Sequence, residues 1–154
     1  MSKGTLYLIP MTMGEYNMEN TIPRGVQELM ENVNVFVVEN LKTTRRYLRK
    51  VNSTYPIDDK EFFIIDKRTS KKELSQFIYQ HKDKTIGVMS EAGCPGIADP
   101  GADVVEIAHE LQLAVKPLVG PSSILLALIA SGKNGQNFTF NGYLPKDRSD
   151  RIKT

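Results

Sequence analysis

Apolar and polar positions follow two different periods along this chain, and the two periods take turns. Short apolar runs at residues 5–9, 33–38, 62–65, 85–89 and 114–119 read as strands. Between them, residues 23–31, 44–51, 70–81, 102–111 and 122–130 carry apolar side chains at helical spacing, as in Val104, Val105, Ile107, Ala108 and Leu111. Ser70 followed three residues later by Glu73 forms a capping box, and Gly132 closes the very apolar last helix. Strand and helix alternating with short connections predict an α/β fold: a five-stranded, mainly parallel sheet with helices on both faces, a three-layer α/β/α arrangement. The turn-like Asn141-Gly-Tyr-Leu-Pro145 gives way to a highly charged stretch just as another element should begin. The expected organisation is therefore one α/β domain over 1–145, with 146–154 a hinge or the start of a further, missing domain.

Composition narrows the function classes. A chain of 154 residues with 40% hydrophobic and 25% charged side chains has the make-up of a globular domain with a sizeable core. Its longest apolar run, 124–130, is far short of a membrane span, and the amino terminus shows no apolar signal region. A soluble, cytoplasmic protein with no membrane partner is expected. The single cysteine, Cys94, agrees with a reducing compartment. A net charge of +2 does not by itself imply nucleic acid, so the placement of the charges matters more than their sum.

Three strand-to-helix loops hold the candidate chemistry. The longest is Ser90-Glu-Ala-Gly-Cys-Pro-Gly-Ile-Ala-Asp-Pro-Gly101, with three glycines, two prolines and small side chains around two carboxylates. Such a backbone is held in shape yet open to close approach by a ligand, and loops at the carboxyl ends of strands are where open α/β sheets bind small molecules. A second loop, Val119-Gly-Pro-Ser-Ser123, turns at Gly120 and Pro121; Ser122 is placed to cap the next helix and leave backbone amides for an anionic group. The first loop has one glycine, Gly14, where a dinucleotide cradle needs three, so the pyrophosphate cradle of an ordinary dinucleotide site is missing, although Glu39 ends the second strand where a ribose-binding acid would sit. A Walker-type loop is also absent from the sequence, and no His, Cys and carboxylate cluster has metal spacing, so no metal is expected. His81 and His109 stand alone and read as surface or packing residues. The helix around 42–50 is different: Lys42, Arg45, Arg46, Arg49 and Lys50 recur every three or four residues opposite Leu41, Thr44, Leu48 and Val51. No acid lies between Leu41 and Val51, so a cationic face suited to a phosphate backbone is predicted, at the same sheet edge as loop 90–101.

These residues together resemble the tetrapyrrole methylase superfamily, and within it the small-subunit ribosomal RNA ribose 2′-O-methyltransferase (cytidine) family. The likeness runs over nearly the whole chain, from Gly4-Thr-Leu-Tyr to Asn141-Gly-Tyr-Leu-Pro145, and is most specific in residues 90–101, which resemble the family's S-D-A-G-T-P-G-I-S-D-P-G. The resemblance implies the amino-terminal domain of a two-domain methyltransferase that folds S-adenosylmethionine between its domains and works as a homodimer. Carried over, it implies Pro10, Glu91, Ala92, Gly93, Ile97, Ser122 and Ser123 as the methyl-donor pocket. Departures fall at the first loop, where T-P-I-G-N is Met11-Thr-Met-Gly-Glu15, at Glu91 for Asp, at Cys94 for Thr, at Val119 for Pro, and in the family's E-D-T-R region, here Glu39-Asn-Leu-Lys-Thr-Thr-Arg45. Fold and donor follow more directly from this pattern than substrate does. With the second domain missing, weak or no donor affinity and little activity are expected of this chain alone.

A ribose hydroxyl becomes a good nucleophile only as it loses its proton, so a base within hydrogen-bond reach is required. Glu39 and Glu15, at the carboxyl ends of strands, are the candidate catalytic acids, with Lys42, Arg45, Arg46 and Arg49 holding the phosphates of ribosomal RNA or of the small ribosomal subunit. Two other readings stay open at this point: a methyltransferase acting on a tetrapyrrole or other small molecule, and a non-catalytic relative of the fold. Salt-sensitive RNA binding separates the RNA reading from the small-molecule one.

Overall fold

The computed structural model describes residues 4–14, 17–98 and 100–152, and Glu15 thus lies outside the described residues. The chain divides into two compact units, one through Ser122 and one from Ser123 onward. Among the described residues the first unit carries five strands, β1 (Thr5–Leu8), β2 (Val35–Val38), β3 (Glu61–Ile64), β4 (Thr85–Met89) and β5 (Ala114–Pro117). They form one sheet in the order β3-β2-β4-β1-β5. Every strand pair is parallel. The expected α/β architecture is the observed one.

β2 explains its own sequence. Its four residues, Val35 to Val38, are all buried. Phe36 and Val38 point to one side of the sheet, where they meet Val26 and Met30 of α2 (Arg24–Glu31) and Tyr47 and Leu48 of α3 (Leu41–Val51). Val35 and Val37 point to the other, where Leu74 and Ile78 of α4 (Lys71–Gln80) and Val104 and Ile107 of α5 (Ala102–Glu110) lie. A strand covered on both faces has no polar side to show, hence the unbroken apolar run. The capping box at α4 is present in full: Ser70 Oγ accepts from the Glu73 amide and the Glu73 carboxylate accepts from the Ser70 amide. α1 (Met18–Thr21) and a single 3-10 turn (Ile57–Asp59) complete this unit.

The second unit contains α6 (Ser123–Ala130) and α7 (Arg148–Arg151). α6 ends as its sequence predicts, with Gly132 at φ +66° just beyond a Ser131 amide that bonds back to the Ala127 carbonyl.

The strand order locates the place where a ligand belongs. From β1 the chain crosses to β2, beyond β4 on one side; from β4 it crosses to β5, beyond β1 on the other. Connections that depart in opposite directions from two adjacent strands leave a crevice beyond their carboxyl ends. That crevice lies over β1 and β4.

Candidate functional site

The two loops that leave β1 and β4 are joined by backbone. Met11 and Gly93 pair as an antiparallel bridge, the Met11 amide donating to the Gly93 carbonyl at 2.9 Å and the Gly93 amide returning to Met11 at 3.1 Å. Gly93 does this at φ +66°, with the site of a Cβ only 3.3 Å from the Pro121 carbonyl, so a side chain here would be both strained and crowded. The loop after β5 closes the junction: Gly120 lies so tightly on the Pro10 ring that a Cβ would overlap it, and Cys94 Sγ reaches the Pro121 carbonyl at 3.4 Å. Burial pushes the Cys94 thiol pKa up, away from thiolate character. The three loops singled out in the sequence are thus packed on one another at the predicted sheet edge.

The end of β2 braces the same loop from the other side. Glu39, directly after β2, accepts a hydrogen bond from the Glu91 amide on Oε2 at 3.2 Å, and its own amide donates to the Met89 carbonyl. Asn40 caps α3 by accepting from the Thr43 amide, which sets the Thr43 hydroxyl to donate to Glu91 Oε1 at 3.2 Å. Tyr47, one turn further, is buried; its hydroxyl donates to the Pro10 carbonyl at 3.4 Å and accepts from the Thr12 amide. Its burial raises the phenol pKa well above the ordinary tyrosine value.

Around this junction lie cavities of contrasting character. A polar one of about 190 Å³ lies between the β1 loop and α3, with Thr12, Thr43, Arg46, Lys50, Glu91 and Ala92 on its wall. An apolar one of about 620 Å³ lies on the β5 side, walled by Leu8, Cys94, Ile97, Val105, His109 and Leu118. A third, of about 460 Å³, opens between Glu39, the Asp66–Thr69 turn and the start of α5.

The residues proposed from sequence for the donor therefore divide. Glu91 and Ala92 face the polar cavity, Ile97 the apolar one, and Pro10 and Gly93 form the buried seam between loops. Ser122 ends the first unit and Ser123 begins α6 in the second. Glu39 faces the third cavity and spends one carboxylate oxygen on the Glu91 amide.

The cationic face of α3 is as the sequence has it within the helix, with no acid between Leu41 and Val51. An acid does meet it, from outside the helix: Asp58, in the 3-10 turn, binds Arg45 Nη2 at 2.7 Å. Arg49 donates to the Ser53 carbonyl at 2.8 Å. Lys42 is exposed, and the ion pairs among the described residues leave Arg46 and Lys50 out. These two line the polar cavity and also a shallow trough of about 410 Å³ that they share with Arg45, Arg49 and Ile57. His81 is the packing residue expected, buried with Nε2 2.8 Å from Glu61 and Nδ1 2.8 Å from the Phe77 carbonyl.

Among curated proteins, the Ribosomal RNA small subunit methyltransferase I of Buchnera aphidicola subsp. Schizaphis graminum is 33% identical over 156 residues, covering 98% of this chain and 52% of that protein. The protein of the same name from Halalkalibacterium halodurans is 33% identical over 150 residues, 97% of this chain and 49% of its own length. That of Thermotoga maritima is 30% identical over 149 residues, 96% and 64% respectively. Over nearly its whole length the chain is similar to these methyltransferases.

No family model matches the chain, and it spans about half the length of the curated relatives it matches. Two functional candidates escaped the sequence reading. Tyr47 sits three residues beyond Thr44 on the buried face of α3, so spacing alone could have placed it inward, though not its bond to Pro10. Thr43 is revealed only by the fold, since Glu91 lies 48 residues away. Among the described residues there is no cluster of three or more His, Cys, Asp or Glu that could hold a metal ion, and no helix long and apolar enough to cross a membrane.

Proposed function

We propose that this chain binds S-adenosylmethionine and transfers its methyl group to a ribose 2′-hydroxyl of small-subunit ribosomal RNA, working in the cytoplasm as a homodimer. The observation that carries the proposal is the Met11–Gly93 seam, which brings the loops of β1 and β4 together over the crevice of the sheet in a chain similar to these methyltransferases. The residues fit the donor. The apolar cavity falls within the range of about 300–1,000 Å³ that encloses a ligand of this size, and the site of a Cβ on Gly96 faces open space, so the loop backbone can be approached closely. Ile97, Leu8 and Leu118 offer apolar wall, and Pro10, Glu91, Ala92, Gly93, Ser122 and Ser123 complete the proposed donor set. The donor supplies a methyl group bound to a sulfonium.

What the chain supplies is position and proton transfer. Holding acceptor oxygen and methyl in line converts an encounter into an oriented step. Glu39 and Glu15 are the carboxylates proposed to take the hydroxyl proton. Arg46 and Lys42 are proposed to hold RNA phosphates, with Arg45 and Arg49 contributing field from positions where each already has a partner. The trough beside the polar cavity favours a polyanion over a small-molecule acceptor.

The test is mass mapping of small-subunit rRNA in cells lacking the gene. One 2′-O-methyl mark is expected to disappear and to return with the gene, but not with Glu39→Gln and Glu15→Gln combined. An unchanged methylation map refutes the proposal. Calorimetry giving no heat with S-adenosylmethionine and none with RNA would favour a non-catalytic relative of the fold.

A further inference from the structure

The polar cavity has a composition that general RNA attraction does not explain. Two cations, Arg46 and Lys50, stand one helical turn apart on α3, and a carboxylate, Glu91, is held by Thr43 from that same helix. The β1 loop, fixed by the bond from Tyr47 to Pro10, forms the remaining wall. At about 190 Å³ the space lies below the range that encloses a whole drug-sized ligand, so it admits only a piece of a larger molecule. Arg46 and Lys50 also line the trough next to it, so whatever enters can continue along the basic surface of α3.

We infer that this cavity is the subsite for one nucleotide of single-stranded RNA, with Arg46 and Lys50 on its phosphate and Glu91 accepting a hydrogen bond from its ribose hydroxyl. The inference rests on the RNA methyltransferase reading and deepens it by naming a pocket for one nucleotide of the bound strand. Two cations and one carboxylate across a small gap match the two ends of a ribose phosphate: an anion at one side, a hydroxyl donor at the other. The bond from the Thr43 hydroxyl orients Glu91 Oε1 and leaves the carboxylate capacity to accept more than one donor. Lys50, absent from the residues proposed for RNA on sequence grounds, becomes a principal contact. Glu91, proposed there for the donor, becomes the group that separates RNA from DNA, because only the 2′-hydroxyl differs between them.

The test measures anisotropy of a fluorescein-labelled cytidine RNA octamer, and of the DNA octamer of the same sequence, with the full chain across a potassium chloride series. Removing two phosphate contacts from a single strand flattens the log–log salt dependence by about 1.4. Arg46→Ala with Lys50→Ala is expected to do this and to weaken RNA binding at least tenfold at low salt. Arg46→Lys with Lys50→Arg is expected to restore the slope. Lys82→Ala with Lys84→Ala removes the same charge from the turn leading into β4, at the opposite edge of the sheet, and is expected to cost less than twofold. Glu91→Ala, which removes the acceptor, is expected to leave the salt slope unchanged while erasing most of the preference for RNA.

Three results overturn the inference: a wild-type chain that does not bind the octamer, an unflattened slope in the Arg46 and Lys50 pair, or an intact RNA preference in Glu91→Ala. Octamer binding that behaves as expected alongside an unchanged cellular methylation map would sink the enzymatic reading and leave this subsite standing.

Discussion

Tyr47→Phe isolates the contribution of one oxygen atom to the geometry of the site. The ring is buried against the core, and phenylalanine keeps that packing. What disappears is the donation to the Pro10 carbonyl and the acceptance from the Thr12 amide. The first of these bonds is long at 3.4 Å and weak on that account; the second leaves a half-buried amide to find water. A net hydrogen bond contributes about 0.5–1.5 kcal/mol, so the substitution should cost about 1 kcal/mol. For a domain of this size that lowers Tm by roughly 2–4 °C. Tyr47→Ala, which also empties the ring volume, should cost about 3–5 kcal/mol.

The functional consequence is local, since Thr12 and Gly14 form part of the polar cavity wall and the freed loop should raise the Kd of the RNA octamer severalfold. Urea unfolding at constant slope gives the stability change, and hydrogen exchange at the Thr12 amide reports the loop. Stability within about 0.3 kcal/mol of wild type, well under the value of one hydrogen bond, with Thr12 protection unaltered, would show that the loop does not depend on this hydroxyl.

Other consequences can be checked with similar means. Gly120→Ala drives a methyl group into the Pro10 ring, an overpacking that should cost about 1–3 kcal/mol and reduce donor heat in calorimetry; full stability would mean the β5 loop yields freely. The Ser70 hydroxyl and amide hold the Glu73 carboxyl below its ordinary pKa, so this contact stabilises above the unfolded carboxyl value and is lost as pH falls through the folded one. The Tm difference between wild type and Ser70→Ala, roughly 2–4 °C at neutral pH, should therefore shrink in acid, as thermal melts across pH 7 to 3 will show. Tyr55 has the opposite sign: burial raises its pKa to about 12, so stability holds below pH 10 and declines as pH rises from there. Tyr55→Phe should blunt that alkaline loss while forfeiting the bond to the Met30 carbonyl at 2.6 Å, and an unchanged alkaline melt would refute the assignment.

Elements were legible where one residue's neighbours in sequence are also its neighbours in space. The capping box of α4, the apolar stripe of α5 and the doubly covered β2 all have local causes, and all stand where the pattern put them. α1 and the 3-10 turn were not legible because four and three residues are too few to establish a period. That the candidate loops meet was legible as well, because loops after parallel strands share one edge by construction.

The pairings within the site were not. Asp58 meets Arg45 across 13 positions and Glu91 finds Glu39 across 52, and side-chain chemistry alone does not say which acid reaches which donor. Glu39 illustrates the difference. Its place after the second strand suggested chemistry, and the structure gives one of its oxygens the task of bracing the neighbouring loop.

The order of the strands also bears on how the protein is made. β1 pairs with β4 and β5 and with no nearer strand, so its partners in the sheet emerge from the ribosome only after about 80 further residues have been polymerised. At translation rates of roughly 5–20 residues per second, that is a wait of about 4–16 s. During it, the hydrogen-bonding edges of the nascent amino terminus have no native mate. Synonymous codons that slow translation before Thr85 should therefore lower the yield of folded protein more than the same codons placed after Pro117.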